Sequence, residues 1–171
     1  MGGFILRPTH DQSRTVLVGS LEETDYAYLA GIIDGEGTVG ICRVAGQKKG
    51  RAYLWYLPEL TVSSTDLLML RSILARFRGH VVKAKTPLNK HWKQGYLLFF
   101  RRKETLTLLP KIIQYMTTKR LEAELMLEYM STMTGGVTAG ADGRFVGIPL
   151  TERQKQIVAE IRKNDKRGPP I

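Results

Sequence analysis

Apolar residues recur along this chain at two periods, and the switches between them mark out its elements. From Ser20 to about Gly35, Tyr26, Leu29 and Ile33 share one side of a helix, and Ser20 with Glu23 has capping-box spacing at its start. After Gly37 the pattern becomes alternation, with Val39 and Ile41 on one face and Thr38, Gly40 and Cys42 on the other, which predicts a strand. The turn-rich basic stretch Ala45 to Arg51 and a second β-rich run, Ala52 to Val62, complete a hairpin with a long basic tip. Ser63 and Asp66 open a second helix, on which Leu67, Leu70, Leu74 and Phe77 keep helical spacing until Gly79 supplies a C-cap.

His80 to Lys85 and Tyr96 to Arg102, joined by the basic turn TPLNKHWKQG, predict a second hairpin. Leu106, Leu109 and Ile113 predict a third helix, interrupted or tightened around Pro110. Lys119 to Met130 predicts a fourth, with Leu121, Leu125 and Tyr129 facing inward. Met133 to Phe145 is glycine-rich and predicts a loop, while Thr151 with Gln154 caps a last helix through Ile157, Val158 and Ile161. The order α-β-β-α-β-β-α, followed by C-terminal helices, is that of an α+β domain. Its strands make one twisted four-stranded sheet with helices on one face and the other face left for solvent or a ligand. Residues 20 to 164 form the domain, residues 1 to 19 an arm, and residues 165 to 171 a frayed tail.

Composition narrows the class. With 171 residues and 43% hydrophobic content the chain suffices for one well-packed domain. A single cysteine, Cys42, excludes a disulfide framework and a zinc cluster, and His10, His80 and His91 lack a metal-ligand spacing. No apolar run reaches membrane-spanning length and the start lacks the core of a signal peptide, so an intracellular protein is expected, whether in a prokaryotic cytoplasm or an organelle. The net charge is +10, and its distribution is uneven. Arg43 to Lys103 holds fourteen Lys and Arg against two acids, a net +12, which leaves −2 for the remainder. Concentrated positive charge in strand-rich territory points to a polyanion-binding surface.

The most unusual stretch is Leu29 to Gly37, LAGIIDGEG. Residues four apart share a helix face, so Ala27, Gly31 and Gly35 make a stripe almost without side chains, opposite the bulky Leu29 and Ile33. Glycine costs about 1 kcal/mol in a helix interior relative to alanine, so two of them call for a reason. A stripe of this kind suits close approach of another helix. Two acids, Asp34 and Glu36, follow at its foot.

This stretch resembles the signature helix of the LAGLIDADG homing endonucleases, matching at Leu29, Ala30, Gly31, Ile33 or Ile32, Asp34, Gly35 and Gly37. Glu36 stands where the family most often carries its metal-binding aspartate; it keeps the charge and both oxygens and adds one methylene. The element order over residues 20 to 130 also matches that family's core. The resemblance implies a curved antiparallel sheet serving as a DNA saddle. With one motif in the chain, it implies a homodimer in which the Ala27, Gly31 and Gly35 stripe meets its own copy across a twofold axis. It further implies a long pseudo-palindromic double-stranded DNA target cut on both strands. Glu36 and the main-chain carbonyl of Gly35 would bind Mg²⁺, with Mn²⁺ or Ca²⁺ as substitutes for binding.

Asp34 is expected to be structural, holding the helix terminus. The family's basic catalytic residue aligns with Lys119, for which a solvated helix-start lysine is the competing reading, and a solvent-ordering polar side chain with Ser64 or Ser63, either of which could equally be a helix cap. Candidates for DNA contact are Arg43, Gln47, Lys48, Lys49, Arg51, Tyr53, Trp55, Lys83, Lys85, Lys90, Lys93, Gln94 and Arg101. A free-standing intron product is expected rather than an intein. Other classes compatible with a basic saddle are an RNA maturase binding intron RNA, a non-catalytic DNA-binding regulator on the same fold, and a basic structural protein.

Overall fold

The computed structural model describes residues 20–48, 51–84, 91–133, 138–139, 145–146 and 150–164; the side chains of 45–48, 51–55, 138–139 and 145–146 lie outside that description. Within it the order is α1 (Glu23–Glu36), β1 (Gly37–Lys48), β2 (Arg51–Ser64), α2 (Leu67–Arg76), β3 (His80–Lys83), β4 (Tyr96–Phe100), α3 (Arg102–Ile112), a 3₁₀ turn (Ile113–Tyr115), α4 (Arg120–Ser131), β5 (Thr138–Ala139), β6 (Phe145–Val146) and α5 (Glu152–Asn164). The expected α+β order is therefore present. The arm, the tail, and Lys49, Lys85 and Lys90 fall outside the described residues. No helix among the described residues is long and apolar enough to cross a membrane.

β1 to β4 form one antiparallel sheet in the order β1-β2-β4-β3. β1 and β2 stay paired without interruption from Gly37↔Val62 to Lys48↔Arg51, so the hairpin is longer and its tip shorter than the glycines and lysines of Ala45 to Arg51 suggested. Among the described residues β4 joins β2 only between Leu60 and Ser64, and the outer part of the hairpin is there a two-stranded ribbon. Pro58, which has no N–H to donate, sits on that part of β2, where no described strand lies along one edge.

Strand parity sorts the side chains. Val39 and Ile41, Leu60 and Val62, and Leu98 and Phe100 are buried against the helices. From α1 come Leu29, Ala30 and Ile33; α2 adds Leu70 and Ile73, and α4 adds Met126 and Tyr129. α5 closes the core with Ile157, Val158 and Ile161, as its spacing predicted. Its predicted cap is present, since Gln154 Oε1 accepts from the Thr151 N–H at 2.9 Å and Thr151 Oγ1 from the Gln154 N–H at 3.2 Å.

Several local expectations change. The box at the start of α1 uses Glu22 and Asp25, whose Oδ2 accepts from the Glu22 N–H at 3.1 Å, instead of Ser20 and Glu23. Asp25 also pairs with Arg76 of α2, and that second role selects it over the neighbouring acids. Asp66 is the N-cap of α2, accepting from the Met69 N–H at 3.0 Å. Gly79 is not the cap of that helix, which ends at Phe77; a Cβ there would lie 3.0 Å from the Phe99 carbonyl oxygen.

Leu121, expected inside, is exposed, as is Leu106, one of the residues whose spacing marked the third helix. Thr105, Leu108, Leu109 and Ile112 form the inner face of α3, and Ala123, Leu125, Met126 and Tyr129 that of α4. Pro110 lies in the last turn of α3, which tightens directly into the 3₁₀ turn. Part of the glycine-rich loop pairs, Thr138–Ala139 against Phe145–Val146.

Gly37 joins α1 to β1 where backbones nearly touch. A Cβ there would meet Ile33 Cα and the Thr61 carbonyl oxygen, both at 2.7 Å. Its φ is −100°, so space and not backbone conformation demands glycine. Gly37→Ala should destabilise the fold by about 2 kcal/mol through overpacking, lowering the melting temperature by about 4–8 °C. Thermal unfolding followed by circular dichroism reads this directly, and an unchanged melting temperature would refute the close-approach reading.

Candidate functional site

The foot of α1 is locked to the start of α4 by two reciprocal caps. A helix C-terminus presents unsatisfied carbonyls and partial negative charge, and α1 carries no basic residue in its own last turn. Lys119 supplies the cation from across the chain: its Nζ donates to the carbonyl oxygens of Ile33 at 2.6 Å and Asp34 at 2.7 Å. Conversely the Asp34 carboxylate accepts from three successive N–H groups leading into α4, those of Thr117 at 2.6 Å, Thr118 at 3.2 Å and Lys119 at 3.0 Å. Asp34 thus holds a terminus, but that of α4 rather than its own helix. Lys119 is only 6% exposed, so it is not a solvated lysine. A cleft of about 360 Å³ opens here, lined by Asp34, Gly35, Val39, Thr118, Lys119, Glu122 and Asn164.

Glu36, the last residue of α1, is exposed. Lys119 bonds the carbonyls of Ile33 and Asp34, and the next residue along the chain, Gly35, lines the same cleft. Among the described residues no group of three His, Cys, Asp or Glu side chains could hold a metal ion by itself. A single exposed carboxylate at a helix end does fit a hard cation such as Mg²⁺, which commonly takes one or two protein carboxylates and completes its shell with water and substrate phosphate.

The two candidate serines separate clearly. Ser64 Oγ accepts from the Asp66 N–H at 3.0 Å and so helps start α2. Ser63 is exposed, one position beyond Val62, which pairs with Gly37, and thus lies next to the foot of α1.

The sheet face away from the helices carries Thr38, Gly40 and Cys42 from β1, Leu57, Glu59, Thr61 and Ser63 from β2, Leu97 and Phe99 from β4, and His80 and Val82 from β3. All are half-buried or exposed. This described part of the face is mixed in character, less basic than the saddle expected from the charge count. Arg43 and Lys83 share the parity of Ile41 and Val81, placing them on the exposed margin of the helix-side rows. Lys93 is exposed in the β3–β4 connection, and Gln94 braces that connection, its Nε2 donating to the carbonyls of Ala84 at 3.0 Å and Gly95 at 2.8 Å. Gln47, Lys48, Arg51, Tyr53 and Trp55 belong to the paired ribbon, with side chains outside the described set.

Arg101, one of the residues expected to contact DNA, continues the free-face row of β4 beside Glu59 and Phe99, which the chain's charge pattern does not single out. Its Nε lies 3.9 Å from Glu59 Oε2, and its guanidinium stacks over Phe99 at 5.8 Å from the ring centre. Burial pushes the Glu59 carboxyl above the usual range, partly offset by Arg101 and by a hydrogen bond from Cys42. Burial and the nearby Glu59 charge likewise raise the Cys42 thiol. The period-2 signal placed Glu59 on a strand, but only the register brings Arg101 and Cys42 beside it.

The motif stripe is open. Gly31 and Gly35 are exposed, and a Cβ at either would meet nothing within 4 Å. Ala27 is half-buried, and Tyr28, exposed, follows it in α1.

No protein-family model matches the sequence, and no curated protein is similar to it. Solved structures are similar. The homing endonuclease I-CvuI in complex with its target in the presence of calcium superimposes with a TM-score of 0.61 at 18% identity over 87% of each chain. The archaeal intron-encoded homing endonuclease I-Vdi141I complexed with DNA gives 0.59 at 15% identity, covering 85% of this chain and 87% of that one. I-SmaMI bound to an uncleaved DNA target with calcium ions gives 0.51 at 21% identity, covering 88% of this chain but 47% of that one. In element order, sheet topology and the placement of its signature helix, this chain has the fold of the LAGLIDADG homing endonucleases.

Proposed function

We propose that the protein is a metal-dependent, site-specific DNA endonuclease of the intron-homing type, acting as a homodimer that hydrolyses both strands of a long pseudo-palindromic site. The observation that carries this reading is the foot of α1: the exposed Glu36 carboxylate sits at the end of a bare-faced helix, with the ammonium of Lys119 fixed to the carbonyls of Ile33 and Asp34. Glu36 and the Gly35 carbonyl hold the cation, for which Mg²⁺ is the expected species. When bound, such an ion neutralises charge growing on the phosphate and activates water. Lys119 keeps the carbonyls of α1 in place and contributes a fixed positive charge toward the scissile phosphate. Ser63, exposed beside the same foot, orders solvent there, while Ser64 serves the cap of α2.

Neighbouring proteins of this fold were crystallised on DNA targets with magnesium or calcium, which supports the substrate class and the type of cation. The ribbon beyond β4 has the width that enters a major groove. Incubation of a supercoiled plasmid library with the protein and Mg²⁺ should yield linear molecules, and chelation should prevent it. Failure to linearise any member of a library containing the insertion site would overturn the reading.

The dimer rests on the uncovered stripe and on the match to about half of I-SmaMI, so that two copies supply the two halves. It has a discriminating test. A leucine at position 31 meets nothing within 4 Å at its Cβ, and leaving glycine favours the helix by about 0.5–1 kcal/mol. Gly31→Leu should therefore melt no lower than the parent as a protomer, yet sediment as a monomer where the parent is a dimer. A Gly31→Leu protein that remains dimeric would move the interface elsewhere.

A further inference from the structure

We infer that Arg101 is a specificity-determining residue that reads guanine in the major groove, with Glu59 and Phe99 as its positioning residues. This rests on the proposed endonuclease reading and deepens it. Arg101 is the nominated basic residue whose described side chain stands in the free-face rows, and it is 64% exposed. It is not a loose surface arginine: the Phe99 ring supports the guanidinium plane from β4, and Glu59 flanks Nε from β2. Glu59 is only 15% exposed and shares the free face with Phe99, so side chains from two adjacent strands, β2 and β4, flank one guanidinium. Across from Glu59 the β1 residue is Gly40, whose lack of a side chain leaves that row open above the carboxylate.

The acid decides between the two things an arginine on a DNA-facing sheet can do. A carboxylate beside the guanidinium cancels much of its net charge and repels phosphate, which makes the pair a poor backbone clamp. The same pair complements the edge of a G·C base pair. Guanine offers two acceptors, N7 and O6, to the planar arginine fork, and cytosine offers an amino donor on the side where a carboxylate is tolerated. Stacking on Phe99 lowers the freedom the fork must lose on contact.

The test is selection of bound duplexes from a randomised DNA pool with Ca²⁺ present, comparing the parent with Arg101→Lys and Glu59→Gln. The parent should enrich a G·C pair at one position, mirrored in the two half-sites, with about a ten- to hundredfold preference over other bases. Arg101→Lys should reduce that preference to about twofold while leaving the other positions intact. Glu59→Gln should weaken the same preference and raise binding to unrelated DNA, because a repulsive charge is gone. If Arg101→Lys lowers affinity evenly and keeps every base preference, Arg101 is a phosphate contact and the inference fails while the endonuclease reading stands. If the parent itself selects no sequence, the site-specific reading fails with it. Thermal unfolding of both variants confirms that the fold is retained.

Discussion

Glu36→Gln should bind target DNA as tightly as the parent and cut it at least about a thousandfold more slowly. The substitution keeps the size and exposure of the side chain and removes only the charge and one carboxylate oxygen. Glu36 ends α1 and is exposed, so the fold loses no packing when it changes. A divalent ion at a phosphoryl centre is worth several kcal/mol of transition-state stabilisation, and about 4 kcal/mol corresponds to about a thousandfold in rate. In the proposed reading the ribbon and sheet, which lie elsewhere, carry the binding. The measurement is single-turnover cleavage beside an equilibrium binding titration on the same duplex. A Glu36→Gln protein that cuts at the parent's rate would remove Glu36 from the chemistry. Glu36→Asp is the informative companion: it shortens the arm by one methylene, so retained activity shows that the carboxylate, more than its reach, is what the site requires.

Asp34→Ala should both soften the fold and slow cleavage. The Asp34 carboxylate gathers three N–H groups at the entry to α4, at 2.6, 3.2 and 3.0 Å. Loss of a helix-start acceptor costs up to about 2 kcal/mol, and charge-assisted bonds are stronger than neutral ones. Because Thr117 and Thr118 are exposed, water replaces part of the loss, so about 2–3 kcal/mol is expected, or about 5–10 °C in melting temperature. The second consequence is mechanistic. Asp34 fixes the backbone of Lys119, and Lys119 in turn fixes the carbonyls preceding Gly35. Slack in one cap therefore loosens the position of Glu36 as well. Asp34→Asn keeps the shape and one accepting oxygen and should lose about half as much stability. Equal melting temperatures for Asp34→Ala and the parent would show that the cross-cap contributes little.

The sequence carried a good deal of this. Alternation around Val39 and Ile41 and the 3.6 period through Leu29 and Ile33 identified core faces that the structure buries, because burial on one face imposes period directly. The motif gave the foot of α1 and both of its acids. Spacing alone could not choose between Ser20 with Glu23 and Glu22 with Asp25, since several acids offer the same interval; the partner Arg76 on α2 selects Asp25. Leu106 and Leu121 keep helical spacing yet face solvent, because a helix with apolar residues on more than one side leaves its rotation to its neighbours. Charge was the least transferable signal. Fourteen basic residues between Arg43 and Lys103 suggested a basic face, but face assignment depends on register, and register puts Arg43 and Lys83 on the other rows. The Arg101, Glu59 and Cys42 group joins residues up to 59 positions apart and has no local signature in the chain.

The direct test of a dimer with one catalytic foot per DNA strand is to map both ends of the linear products released from a plasmid library in Mg²⁺. A pair of cuts is expected, one on each strand, at fixed positions related by a twofold axis within a single pseudo-palindromic sequence, and none of them with Glu36→Gln. Ends scattered over unrelated sequences, or nicks confined to one strand, would contradict it.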